Sequence, residues 1–192
     1  YSACSAMAID PLFIPLDDLE DFHRAGGVNA FVPGLRAEVD RVKASPRIDY
    51  DGVRLVKHAA LSMAFDAFVR DEWLQHTVRA AELAAFAHRE RWWLDDYVLY
   101  RVLSRRHGAN WREWPAPLAA READALDAVR RHCSQEVLGE QYLQWLADLA
   151  WRDAREAASD AGVGRRGGQG GARGGRHRRV AGGPPGPGAP LV

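Results

Sequence analysis

Cysteine is nearly absent from this sequence: Cys4 and Cys133 are the two among 192 residues. They form no CxxC unit and no Cys/His pair at metal-ligand spacing, which argues against a disulfide framework or a zinc site. Neighbouring positions on a helix point about 100° apart. His132 and Cys133 therefore read as a surface histidine beside a core cysteine, and no metal or cofactor is expected. No apolar run approaches the ~20 residues of a membrane span, so no membrane contact is expected either. Surplus charge is lacking as well, with 26 basic against 26 acidic residues. That balance hides an asymmetry. Six arginines lie in residues 164–192, which hold no Asp, Glu or Lys, so residues 1–163 carry 20 basic and 26 acidic groups, a net of −6. A mildly acidic body offers no electrostatic reason to bind nucleic acid.

The stretch 164–192 also lacks aromatics and any repeated RGG unit. Of its 29 residues, 24 are Gly, Arg, Pro or Ala. Such a composition cannot bury a core, and a disordered Gly/Arg/Pro-rich tail is expected. These four types share G- and C-rich codons, so the favoured reading is GC-rich DNA translated out of frame. The competing reading is a stand-alone helical binding module whose basic tail takes RNA or an acidic partner. With no ring to stack on bases, the tail fits RNA less well. At the other end the chain opens on Tyr1 inside a small-residue run, read here as a fragment boundary.

The body is mostly helical in pattern. Residues 1–50 read as loop and extended chain. Leu12-Phe13-Ile14, bracketed by Pro11 and Pro15, suits a short strand. A short helix is expected over 17–23, with Asp17, Asp18, Glu20 and Asp21 as a solvated, dipole-favoured start and Gly26-Gly27 as its stop. Connection is expected through Pro33 and Pro46. From Asp51, Val53, Val56, Ala60, Met63, Ala64, Ala67 and Phe68 recur at helical spacing. A second helix is expected over 72–90 with Leu74, Val78, Ala81 and Ala85 inward, and Leu83 and Phe86 as further inward candidates. A third starts near Trp92, carries apolar residues on two faces and stops at Gly108. The longest helix is expected over 121–159, with Gly139 as a kink or a close helix contact and Gly162 as its end. All seven tryptophans fall between Trp73 and Trp151 and read first as core.

Five stretches together resemble one family. YSACSAMAIDPLFI resembles a segment that reads roughly SPYxSxSAFAxNPLxI, with Tyr1 at its tyrosine, Ser5-Ala6 at its Ser-Ala, Asp10-Pro11 at the usual Asn-Pro, and Met7 for the common Phe. Arg47-Ile48-Asp49-Tyr50 is similar to its Val/Ile-Asp-Tyr. Trp93-Leu94-Asp95-Asp96-Tyr97 resembles Trp-Leu-x-Asp-Tyr. Trp111, Trp114 and Pro115 fit Trp-x-x-Trp-Pro. Tyr142-Leu143-Gln144-Trp145 fits an aromatic-Leu/Thr-Gln-Trp stretch. Each is weak alone, but they stand in the family's order. The family is 4-alpha-glucanotransferase, also called amylomaltase or disproportionating enzyme, in glycoside hydrolase family 77.

The resemblance implies a mainly α region: the helical insertion of a (β/α)8 barrel whose strands are largely missing here. It implies cytoplasmic maltodextrin metabolism, in which a retaining reaction passes α-1,4-glucan segments between chains. Such chemistry needs two carboxyl groups about 5–5.5 Å apart. The family's catalytic acids lie downstream of the matched region, so no residue here is expected to be catalytic and the isolated chain is expected to be inactive. Asp95 and Asp96, adjacent on a helix, cannot flank one bond; Asp96 is expected to make a structural hydrogen bond. Tyr1 is the one substrate-contacting position carried over, as an aromatic face for a sugar ring. A second glucan site of some members uses a tyrosine where Arg54 stands, and it is not carried over. After Val163 the family's Gly-x-x-x-x-Gly-Asp-Leu-Pro strand pattern does not follow. Without a barrel to rest on, apolar faces such as 92–103 are expected to be exposed and to favour aggregation.

Overall fold

The structure is a computed structural model that describes residues 5–161. Tyr1, Cys4, the end expected at Gly162 and the Gly/Arg/Pro tail lie outside the described residues. The chain divides into two units, Tyr1–Glu156 and Ala157–Val192. Of the second, residues 157–160 are helical and Ala161 sits in a turn. Among the described residues there is no strand. Seven α-helices occur: α1 (Glu20–Arg24), α2 (Pro33–Ala44), α3 (Tyr50–Phe68), α4 (Val78–His107), α5 (Ala116–Ala119), α6 (Ala123–His132) and α7 (Ser134–Asp160). The mainly α expectation holds.

Local chemistry explains where the pattern reading went astray. Pro11–Phe13 form a 3-10 turn rather than a strand, because the Asp10 carboxylate accepts the Leu12 N–H at 3.0 Å and Pro11 presets the first position. The expected connection around Pro33 is helix α2, started by that same proline; its single buried residue, Val39, leaves only a faint apolar stripe. The expected break near residue 91 does not exist, and α4 runs unbroken for 30 residues from its Thr77 cap. Its inward face is Ala80, Leu83 and Phe86, while Leu74 and Val78 are 63% and 76% exposed. Arg79, Leu83, Phe86 and Glu90 share one helical face. Turning Arg79 toward a buried carboxylate therefore carries Val78, Ala81 and Ala85 to the outside. The expected 121–159 helix is interrupted at Cys133, whose non-helical φ of −112° separates α6 from α7. Cys133 is buried and His132 is exposed, as expected.

The core gathers Phe22 of α1, Val39 of α2, Ala60, Leu61, Ala64 and Phe68 of α3, Leu83, Phe86, Leu94 and Val98 of α4, and Tyr142, Trp145 and Leu146 of α7. Phe68, Tyr142 and Trp145 stack at tilted angles with centroids 4.8–6.2 Å apart. The 94–103 face of α4 is covered from within: Leu94, Val98, Leu99, Val102 and Leu103 are all buried. The expected exposed apolar face is thus reduced to Trp92. Trp111 and Trp151 are also exposed, so the core reading fails for these three tryptophans and holds for Trp114 and Trp145. Gly108 ends α4 with a φ of +87°, and its N–H bonds the Ser104 carbonyl. Gly139 is a close contact: a Cβ there would stand 3.3 Å from the Phe65 ring.

The largest departure concerns the acidic cluster at α1. Asp17, Asp18 and Glu20 are solvated or partly so, but Asp21 is fully buried. Arg79 grips it through two nitrogens at 2.6 and 2.8 Å, and the Tyr142 hydroxyl donates to it at 2.7 Å. Arg79 lies over the rings of Phe68 and Trp145, 5.6 and 5.7 Å from their centroids. Removing one partner of a buried pair leaves an uncompensated charge. Asp21→Ala is therefore expected to cost about 3–5 kcal/mol in urea unfolding, and Tyr142→Phe about 1 kcal/mol. Gly139→Val, which forces a branched side chain against Phe65, is expected to lower stability by about 1–3 kcal/mol.

Candidate functional site

A groove of about 520 Å³ opens between the 10–12 segment, α3, the end of α4 and the start of α7. Its floor is apolar, from Leu12, Leu61, Phe65 and Leu143. Its walls are charged. Arg54 reaches across from α3 to Asp10 at 2.9 Å. The Lys57 ammonium donates to the backbone carbonyls of Leu12 and Ile14, at 2.5 Å for the latter. Arg101, 3.4 Å away, and Arg105 both turn to Glu140, which is 1% exposed.

These groups feel one another. Burial lowers the Lys57 pKa, with nearby Asp17 and Asp10 opposing. Burial and then the Arg101 guanidinium push Arg105 below the usual arginine value. Burial raises Asp10, yet the hydrogen bonds from Arg54 and the Leu12 N–H outweigh it and hold the carboxyl low. Arg101 also lowers Asp10 and opposes the rise of Arg54.

The groove's outer wall is fixed at three points. Ile9 exchanges two 3.0 Å hydrogen bonds with the Gln144 side-chain amide, Asp10 meets Arg54, and Lys57 binds the Leu12 and Ile14 carbonyls. Ser5 tightens the turn before it by accepting the Met7 N–H at 3.0 Å. A smaller cleft of about 310 Å³ lies beside Tyr100, Trp111 and Trp114, with Asp96 and Arg121 at its rim. Asp96 does pair structurally, with Arg121 at 2.7 Å, though both are exposed. Among the described residues no group of three or more His, Cys, Asp or Glu could hold a metal, and no helix is long and apolar enough to cross a membrane.

The motif residues thus serve as cross-links. Asp49 caps α3 by accepting the Gly52 N–H at 3.1 Å and pairs with Arg41. Leu94 is fully buried. The Trp114 indole N–H bonds the Gly108 carbonyl at 2.8 Å. Tyr142 and Gln144 make the contacts above. The 4-alpha-glucanotransferase family profile matches residues 1–165. The chain belongs to the 4-alpha-glucanotransferase family. It is 34% identical over 164 residues to the 4-alpha-glucanotransferase of Thermus thermophilus, covering 85% of this chain and 30% of that protein. The Synechocystis enzyme of the same name is 31% identical over 160 residues, covering 83% and 30%. That of Mycobacterium tuberculosis is 26% identical over 167 residues, covering 85% and 22%. The chain therefore spans less than a third of the length of these 4-alpha-glucanotransferases.

Sequence reasoning named Tyr1, which lies outside the described residues, and placed no site at the groove. Asp10 and Arg54 stand at two of the noted departures from the family pattern, and the structure brings them together as an ion pair. Arg79, Glu72 and Glu140 went unnoticed because their partners lie 35–58 positions away in the chain.

Glu72 gives a pH signature. The Thr77 hydroxyl, 2.5 Å away, and the Arg24 guanidinium hold its carboxyl below its ordinary 4.5. A carboxylate lowered on folding contributes stability above its unfolded pKa and loses it as pH falls through the folded value. Urea midpoints are expected to be flat from pH 7 to 5 and to drop below about pH 4.5. Glu72→Gln should reduce that acid-side slope.

Proposed function

We propose that this chain supplies the helical region of a 4-alpha-glucanotransferase, an enzyme that transfers α-1,4-glucan segments between maltodextrins in the cytoplasm without a cofactor. The observation that carries the reading is the family match over residues 1–165. In this reading the helices are the insertion of a (β/α)8 barrel, and the barrel brings the reacting carboxyl groups to the C-terminal ends of its strands. One carboxylate attacks the anomeric carbon, a second carboxylic acid protonates the leaving oxygen, and the acceptor's 4-OH completes a retaining transfer. No acid of this chain is assigned to those roles. Asp96 and Asp21 make structural pairs, Asp95 adjoins Asp96 on one helix and cannot flank a bond with it, and the chain alone is inactive.

Tyr1 is proposed as the glucan contact, its ring lying against a sugar face. Further along the sequence, the Ile9–Ile14 segment is held to α3 and α7 by Asp10, Lys57 and Gln144.

Two assays test this. The 192-residue chain incubated with maltotriose is expected to release no glucose, and glucose with longer maltodextrins at enzyme-like rates would overturn the inactivity. Residues 1–161, grafted in place of the matching part of the Thermus thermophilus relative, are expected to retain disproportionation. A soluble, folded graft without it would sink the assignment. In the active graft, Tyr1→Ala is expected to raise KM for maltotriose several-fold, about 1 kcal/mol, with a smaller change in kcat.

A further inference from the structure

The groove between α3, α4 and α7 holds more positive charge than its own carboxylates neutralise. Arg54 is matched by Asp10. Glu136 is matched by Arg106, which does not line the groove. Glu140 offers one carboxylate to two guanidiniums, Arg101 and Arg105. Lys57 is held by carbonyl oxygens, not by a carboxylate. One arginine charge is therefore left without a carboxylate of its own, and Lys57, on which Asp17 and Asp10 act only through space, has none in contact.

The geometry leaves donors for a guest. Arg101 reaches Glu140 through Nε and Arg105 through Nη2. Each guanidinium has five N–H donors in a planar fork that suits a tetrahedral oxyanion. Both side chains are partly exposed, at 35% and 46%, so these donors are reachable from outside. The full burial of Glu140 keeps it beneath them as an anchor, so the guanidiniums are held in place before an anion arrives. Pre-placed donors of this kind lower the ordering cost of binding. Beside them, Phe65, Leu61 and Leu143 supply an apolar floor, and the volume of about 520 Å³ exceeds what a bare oxyanion needs.

We propose that this groove binds a small organic phosphate monoester, its phosphate on Arg101, Arg105 and Lys57 and its organic body over Phe65. This site is independent of the glucan-transfer reading.

Isothermal titration of the full chain at low salt tests it, with glucose 6-phosphate, inorganic phosphate and glucose as probes. Glucose 6-phosphate is expected to bind with a Kd of roughly 1 mM or tighter, several-fold better than inorganic phosphate, and glucose not measurably. Arg101→Gln, which removes a phosphate contact, and, separately, Arg54→Gln, which leaves the Asp10 carboxylate unpaired in the groove to repel the anion, should each weaken it; the loss should be about tenfold for Arg101→Gln, which removes a charged hydrogen-bonding partner. Arg36→Gln, outside the groove, should leave it unchanged. The Arg54 variant breaks only an exposed pair, so it remains a test if the Arg101 variant misfolds by circular dichroism. Absence of glucose 6-phosphate binding, or equal binding by a folded Arg101 or Arg54 variant, would overturn the site. Equal affinity for inorganic phosphate would overturn the organic-body part.

Discussion

A carboxylate sealed from water holds this helical region together. Asp21 lies on a five-residue helix too short to persist alone. It is kept in place because Arg79 of α4 and Tyr142 of α7 both need it as acceptor. An isolated ionised carboxylate in an apolar interior is strongly disfavoured. Here a two-nitrogen guanidinium contact and a phenolic hydroxyl satisfy it, and the same guanidinium rests on Phe68 and Trp145. The rotation of α4 follows from that requirement. So does the state of Tyr142: burial and the nearby Asp21 charge raise its pKa, keeping it a hydroxyl donor. Glu72, with Arg24 and Thr77, extends the network to the turn that starts α4.

A second set of polar contacts fixes what the first leaves loose. The Ser5–Ile14 segment has no regular ladder to hold it. Its backbone is tied instead by side chains from α3 and α7: Lys57 to two carbonyls, and Gln144 to both polar groups of Ile9. Buried backbone groups must find partners, and where no helix or sheet supplies them, turns and side chains do. Of these fasteners, Asp10 and Gln144 belong to the stretches that carry the family resemblance. The same fastening creates the groove, because Arg54 and Lys57 must stand along α3 to reach the segment while Arg101 and Arg105 converge on Glu140 from the other side.

Much of the helical plan was legible in the chain. The 3.6-residue spacing from Val53 to Phe68 placed α3, Gly108 marked the end of α4, and of the two readings open for Gly139, a kink or a close contact, the second holds. Patterns with little apolar contrast were not legible. α2 buries one residue, and α4 has apolar residues on several faces, so spacing alone pointed to the wrong stripe. The solvated reading of Asp21 failed for a related reason. Acidic residues in a first helical turn are favoured by the helix dipole whether or not they are buried.

The sequence by itself determined the helical class and the family, because these rest on local spacing, composition and ordered motifs. The tertiary structure alone decided which charges are buried, which face of α4 turns inward, and that Asp10, Arg54, Lys57, Arg101 and Arg105 border one groove. Those outcomes depend on partners far apart in the chain, and the energy of a charge is set by the surroundings that the fold assembles around it rather than by its neighbours in sequence.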